Sequence, residues 1–255
     1  MRTLRKIGEK CWLVVALVLL WWFASAGSTN VFFPPLQTIL ETLSQDLQNG
    51  LLIGYLGFSL GNLAVALFLA IVFGIGLGLI IGEVRWLRDA LDPFISFLRS
   101  VPQAALVPLI VGTFGLGSGP KIYVITFACV FPILLNTIDG VRSIEPTIRR
   151  VGMVYRISPA RYFRKVVFPG ALPQIFAGIR VALPIGITVM VVSELFAANK
   201  GVGFYILNSS STFQLAQTWA GAILVGVIGY TISIIFFRIE RIPLRWYFKS
   251  GAMTK

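Results

Sequence analysis

The residues of this chain that are able to do chemistry are few and widely separated. Glu194 is the single acid inside an apolar stretch, and Arg180 lies on the same stretch near its other end. The sequence holds no histidine, which removes imidazole acid–base catalysis, histidine triads and His-ligated metal sites. An enzyme would then need a paired nucleophile and base, or carboxylates converging at one depth. Glu194 and Asp139 instead fall at opposite ends of their apolar stretches. No glycine-rich loop ending in Lys-Ser or Lys-Thr is present, so the chain cannot cradle a nucleotide phosphate by that route. A carboxylate placed in hydrocarbon is costly, so Glu194 must face protein, a cavity or water. Two readings follow. Either it shapes a path through the membrane, or it is structural near an interface and pairs with Lys200. Arg180 similarly either attracts an anion or extends to lipid headgroups. Ser193, Thr188, Asn136 and Asn62 either line a cavity or hydrogen-bond between helices.

The elements that position these residues are transmembrane helices. Of 255 residues 56% are hydrophobic and 13% charged, about half the charge of a soluble domain. Two runs, 47–82 and 201–237, carry no charge at all, and about 20 apolar residues suffice to span a bilayer as helix. Neither run alternates as barrel strands must. The expected architecture is a single all-α integral membrane domain over 1–255, with about six spans near 11–26, 52–82, 101–117, 121–138, 174–198 and 218–238. The first run resembles a signal peptide at Ala24-Ser25-Ala26, but Trp21-Trp22-Phe23 before it suits a retained, interfacially anchored helix. Gly74, Gly78 and Gly82 recur at four-residue spacing and invite close approach of another helix. Arg85, Arg88 and Arg99 are read as a basic loop, followed by a proline-interrupted short helix.

Charge sets the orientation. The net charge is +12, but the Lys and Arg residues flank apolar spans, which fits lipid headgroups and not nucleic acid. With the N-terminus inside, the inner segments hold nineteen of the twenty-two basic residues. Lys121 and Lys200 fall in outer loops. The positive-inside rule therefore places both termini in the cytoplasm. Cys11 and Cys129 sit in different spans and form no disulfide framework.

The segment 139–173 departs from an ordinary connector. It carries seven Lys or Arg and reads as two short helices. One starts near Pro146. The second is capped by Ser158 with Pro159 at its first position, and Pro169 and Pro173 are expected to break the chain before the fifth span. On periodicity alone an amphipathic connector lying on the inner leaflet explains it equally well.

This segment resembles the cytoplasmic EAA loop of binding-protein-dependent ABC importer permeases. Phe168-Pro-Gly-Ala-Leu-Pro173, Val192-Ser-Glu-Leu-Phe196, Phe33-Pro34-Pro35 and Arg99-Ser-Val-Pro102 narrow the resemblance to the nitrate/sulfonate/taurine branch. It implies a type I importer permease fold and no enzymatic activity in this chain. ATP and Mg would be bound by a separate cytoplasmic ABC ATPase. The other implied partners are an extracytoplasmic binding protein, a second permease copy and membrane lipid, in the bacterial cytoplasmic membrane. The implied ATPase-coupling residues are Arg150, Gly152, Arg156, Ile157, Ser158, Pro159, Ala160, Arg161, Tyr162, Phe163 and Arg164. Counting from Pro169, the family's usual glutamate falls on Arg150, its second alanine on Gly152 and its signature glycine on Arg156. The implied translocation path includes Glu194, Ser193, Thr188, Asn136 and Arg180. The implied cargo is a small anion (sulfonate, taurine or nitrate). Alternatives are a neutral heterocycle such as a vitamin precursor, or a stand-alone channel.

Overall fold

A computed structural model describes residues 2–115, 117–197 and 199–250. The described residues form helices and no strand. Four helices are long and apolar enough to cross a membrane: α3 (Leu51–Glu83), α6 (Ser118–Arg142), α9 (Phe168–Ala197) and α11 (Leu215–Glu240). They match four of the expected spans and overrun them by a few residues. The shorter helices are α1 (Arg2–Ser25), α2 (Leu36–Gln48), α4 (Arg85–Ser100), α5 (Val107–Phe114), α7 (Pro146–Val154), α8 (Pro159–Tyr162), α10 (Val202–Ser211) and α12 (Arg245–Ser250).

The span expected at 101–117 holds only the second arm of a bent helix pair. α4 and the stretch Gln103–Phe114 form a pair bent by 75°. The break is at Val101, held extended (φ −72°, ψ 124°) ahead of Pro102, because a residue before proline is pushed out of the helical region. The stretch read as a basic loop is instead the amphipathic helix α4. Its Leu87, Leu91, Ile95 and Leu98 pack on Ile81 of α3 and on Phe131, Leu134 and Ile138 of α6, while Arg85, Arg88 and Asp89 lie on its polar side. The span expected at 11–26 falls partly on residues whose side chains lie outside the described ones. Its apolar part, Val15–Ser25, is short. α1 is tied to α2 by the buried Ser25 hydroxyl, which accepts the Leu36 N–H at 3.1 Å.

The core is a three-helix sandwich with α6 in the middle. Gly74, Gly78 and Gly82 face Ile133, Thr137 and Val141 of α6, and a Cβ on Gly78 would stand 2.6 Å from the Thr137 Cβ. The four-residue glycine spacing therefore sets a backbone-to-backbone seam with α3. On the other side, Gly178 of α9 meets the Pro132 carbonyl and Asn136, and Gly140 of α6 meets the Ala171 carbonyl.

The expected break at Pro169 and Pro173 does not occur. Helical backbone runs unbroken from Pro159 to Phe196. A π-helical turn, Phe163–Val167, joins α8 to α9, with the Phe168 N–H donating back to the Phe163 carbonyl. That wider turn loosens the ladder just ahead of Pro169, where a ring without an N–H would otherwise clash with the preceding turn. The α7–α8 loop is thus rigidly continuous with a membrane-spanning helix.

Candidate functional site: a buried polar lock and a rigid loop surface

The two ends of the bundle carry different chemistry. At the end away from the α7–α8 loop, Glu194 of α9 is 1% exposed. Both its carboxylate oxygens accept the Ser59 hydroxyl of α3, at 2.8 and 2.9 Å. Its Oε2 also accepts the Gly203 N–H at 2.9 Å. Ser59 in turn accepts the Val202 N–H at 2.9 Å. The backbone must come this close for the network to form, and Gly201 (φ +120°) and Gly203 allow it. A Cβ on Gly201 would fall on the carboxylate, and one on Gly203 within 2.6 Å of the Glu194 Cβ. The ammonium of Lys121, on α6, lies near enough to act electrostatically on Glu194 and sits 5.0 Å from the centroid of the Phe58 ring.

Lys121 is therefore not in an outer loop, as its position beside an apolar run suggests. It is 3% exposed, and it, not Lys200, is the cation facing Glu194. Lys200 is exposed and makes no ion pair among the described residues. The cavity next to Ser59 is apolar and only about 10 Å³, roughly the least that holds one water. Glu194 is thus a tie between α3, α6, α9 and α10.

The other residues assigned to a path also bond within the chain. Arg180 donates to Glu240 Oε1 at 2.5 Å, and Glu240, at the end of α11, is fully buried. The Arg180 side chain remains half exposed beside that pair. The Asn136 amide donates to the Pro132 carbonyl (2.8 Å), the Thr188 hydroxyl to Pro184 (3.0 Å) and the Ser193 hydroxyl to Met190 (2.7 Å). Each bond stays within its own helix.

At the opposite end the loop residues do come together. α7 ends in a Schellman turn, the Ile157 N–H bonding to the Gly152 carbonyl and the Arg156 N–H to Met153, each at 3.0 Å. That motif needs a left-handed residue, usually glycine. Arg156 fills it at φ +47°. Gly152 is buried beneath Tyr162, and a Cβ there would meet the ring at 2.9 Å. Glycine at this position thus makes room for the tyrosine. Arg149, which the sequence did not single out, pins the loop. It pairs with Glu83 at 3.1 Å and donates to the Val141 carbonyl at 3.0 Å. Ser158 and Pro159 occupy the cap and first position of α8, although the serine hydroxyl makes no capping bond. A cleft of about 660 Å³ opens between Glu83, Arg149, Arg156, Ser158 and Tyr162. Around it Arg150, Met153, Val154, Tyr155, Ala160, Arg161, Phe163 and Arg164 are exposed and Ile157 half-buried, with Val154 at 78%. Apolar and cationic side chains thus project outward from this backbone.

Comparisons with known proteins identify the family. Residues 70–246 match the family described as binding-protein-dependent transport system inner membrane component. The taurine transport system permease protein TauC of Escherichia coli strain K12 is 31% identical over 241 residues, covering 92% of this chain and 88% of TauC. The nitrate import permease protein NrtB of a Synechocystis strain is 29% identical over 224 residues, covering 85% of this chain and 82% of NrtB. Among solved structures, an inward-facing MetNI methionine ABC transporter chain superposes with a TM-score of 0.67 at 18% identity, covering 78% of this chain and 98% of that one. The chain belongs to the family of inner membrane components of binding-protein-dependent transport systems, and it has the type I ABC importer permease fold.

Proposed function

We propose that this chain is the membrane-spanning subunit through which an ATP-driven importer moves a small anion of the sulfonate, taurine or nitrate class into a bacterial cytoplasm. The observation that carries this reading is the α7–α8 surface. Its cleft and exposed apolar rim have no partner within the described chain, and the π turn joins it without a break to α9. A cytoplasmic ATPase that closes on ATP and pulls on this surface would move α9 as a lever. α9 carries Arg180 and Glu194, so its displacement would be felt at both faces. Two such chains lining one path would alternate between outward- and inward-facing states of different cargo affinity. The distribution of basic residues supports cytoplasmic termini and a cytoplasmic α7–α8 loop.

The anion class rests on the relatives, since TauC and NrtB are named for taurine and nitrate. The interior of the chain supports a weakly selective path. Among the described residues, Lys121 lies within electrostatic reach of Glu194, and Arg180 pairs with Glu240. A path without a dedicated fixed charge releases its cargo easily and leaves recognition to an extracytoplasmic binding protein. The test is purification of the tagged chain from native membranes in mild detergent. Co-purification of an ATPase subunit and a binding protein is expected. Recovery of the chain with no nucleotide-binding partner in any detergent would favour a stand-alone channel.

A further inference from the structure

At the end of the bundle away from the α7–α8 loop, α2 and the elbow between α10 and α11 enclose a polar cup of about 450 Å³. Thr42, Gln45, Asp46, Phe213, Gln214 and Gln217 are among the residues that line it. Three features of this cup are not explained by the fold. Phe213 sits at φ +58°, in the left-handed seat that closes α10. The Gln214 N–H bonds to the Ser209 carbonyl at 2.8 Å and the Phe213 N–H to Ser210 at 3.2 Å. Glycine takes that conformation freely, and a bulky residue does not. Nor is the strain offset by packing, because the Phe213 ring is 68% exposed. Backbone outliers of this kind gather where a side chain is needed for contact. Next, the Gln217 Oε1 is buried without a hydrogen-bond partner. Finally, Asp46 is 8% exposed and is oriented by the Tyr205 hydroxyl, which donates to its Oδ2 at 2.6 Å.

The cup thus presents a carboxylate and a projecting aromatic ring, with an unpaired amide oxygen just beneath its surface. All three suit a cation or N–H donor carried on a larger apolar surface. The charge setting is distinctive as well. On a chain of net charge +12, residues 27–50 hold two acids and no Lys or Arg. The ring is poorly placed as a lipid anchor. Trp21, Phe33 and Trp219 already form an aromatic cluster on that side, and α11 starts at Leu215, about 6 Å before Trp219 along the helix axis.

We propose that this cup is the docking surface for the extracytoplasmic binding protein, which inserts a lysine or arginine between Asp46 and Gln217 while an apolar patch seats on Phe213. This rests on the importer reading above. The experiment uses the intact transporter with its ATPase in lipid nanodiscs, titrated with the loaded binding protein while ATP hydrolysis is followed. Phe213→Gly keeps the turn and removes the ring, Gln217→Ala removes the free acceptor, and Asp46→Asn removes the charge. Each variant is expected to raise the half-saturating binding-protein concentration about tenfold. Turnover at saturation and basal turnover should stay unchanged. Asp46→Asn should also flatten the salt dependence of half-saturation. Unchanged half-saturation in both Phe213→Gly and Gln217→Ala, with a normal wild-type response, overturns the docking surface alone. So does a Phe213→Gly effect confined to retention of the chain in lipid, which would make the ring an anchor. A wild-type transporter that never responds to the binding protein overturns the importer reading and the docking surface with it.

Discussion

Replacing Glu194 by Gln and Lys121 by Met, singly and together, tests whether the buried lock is one electrostatic unit. The two groups are 1% and 3% exposed and lie beyond direct ion-pair contact. Two unit charges just beyond direct contact, at an effective dielectric of about 20, couple by about 3 kcal/mol. Glu194→Gln loses that attraction. It also places an amide where the Ser59 hydroxyl and the Gly203 N–H both donate, which adds about 1 kcal/mol. For a chain of this size that lowers the midpoint of heat inactivation in mild detergent by roughly 8–16 °C. Lys121→Met leaves the carboxylate buried without its counter-charge and should cost a similar amount. The double variant, with no charge left to strand, should be less damaged than the sum of the singles by about 3 kcal/mol. The assay is the fraction of chain remaining monodisperse after heating, read for all four proteins. Additivity of the two changes to within about 0.5 kcal/mol would refute the coupling.

Other substitutions probe the remaining features. Arg156→Gly should stabilise the loop by about 0.5–1 kcal/mol, the relief of left-handed strain less the entropy of glycine, seen as a raised unfolding midpoint. Gly78→Ala should cost about 1–3 kcal/mol, since the new Cβ meets Thr137 and the Leu134 carbonyl and the helix seam must open. The control Gly76→Ala, which meets open space, should be neutral or slightly stabilising in the same assay. Arg180→Ala should cost about 3–5 kcal/mol by stranding the buried Glu240 carboxylate, and Glu240→Gln in the same background should recover most of it. The Tyr205 hydroxyl is held protonated, first by burial and then by Asp46. Its contribution is therefore complete below the ordinary tyrosine value of about 10 and declines as the pH rises beyond it. Tyr205→Phe should abolish that alkaline loss of stability.

How much of this was visible in the sequence depends on whether a signal was local. The charge-free runs located α3 and α11, and the spacing of Gly74, Gly78 and Gly82 announced the seam with α6 before its partner was known. The α7–α8 surface was legible from Pro146, Ser158 and Pro159. The apolar spacing of Leu87, Leu91, Ile95 and Leu98 was available to identify α4, but the arginines beside it suggested a loop. The charge contacts between distant helices had no local signal. Lys121 looks like a loop lysine because its partner lies 73 residues further along the chain, and Arg180 finds Glu240 only after α9 and α11 have packed. Pro169 was misleading for a related reason. A proline normally ends a helix, and only the π turn ahead of it lets this one continue.

The central claim is that the α7–α8 surface transmits the work of a separate ATPase into the membrane. The most direct measurement is ATP hydrolysis and ATP-dependent uptake of a labelled anion by proteoliposomes holding the chain with its ATPase and binding protein, compared for wild type and the Arg161→Glu, Arg164→Glu variant. Both side chains are exposed beside the cleft, so their reversal leaves the fold intact. The account predicts no hydrolysis by the chain alone, binding-protein-stimulated hydrolysis and uptake by the wild-type assembly, and loss of both in the variant. Normal uptake by the variant would contradict the placement of the coupling surface, and hydrolysis by the chain alone would contradict the division of labour itself.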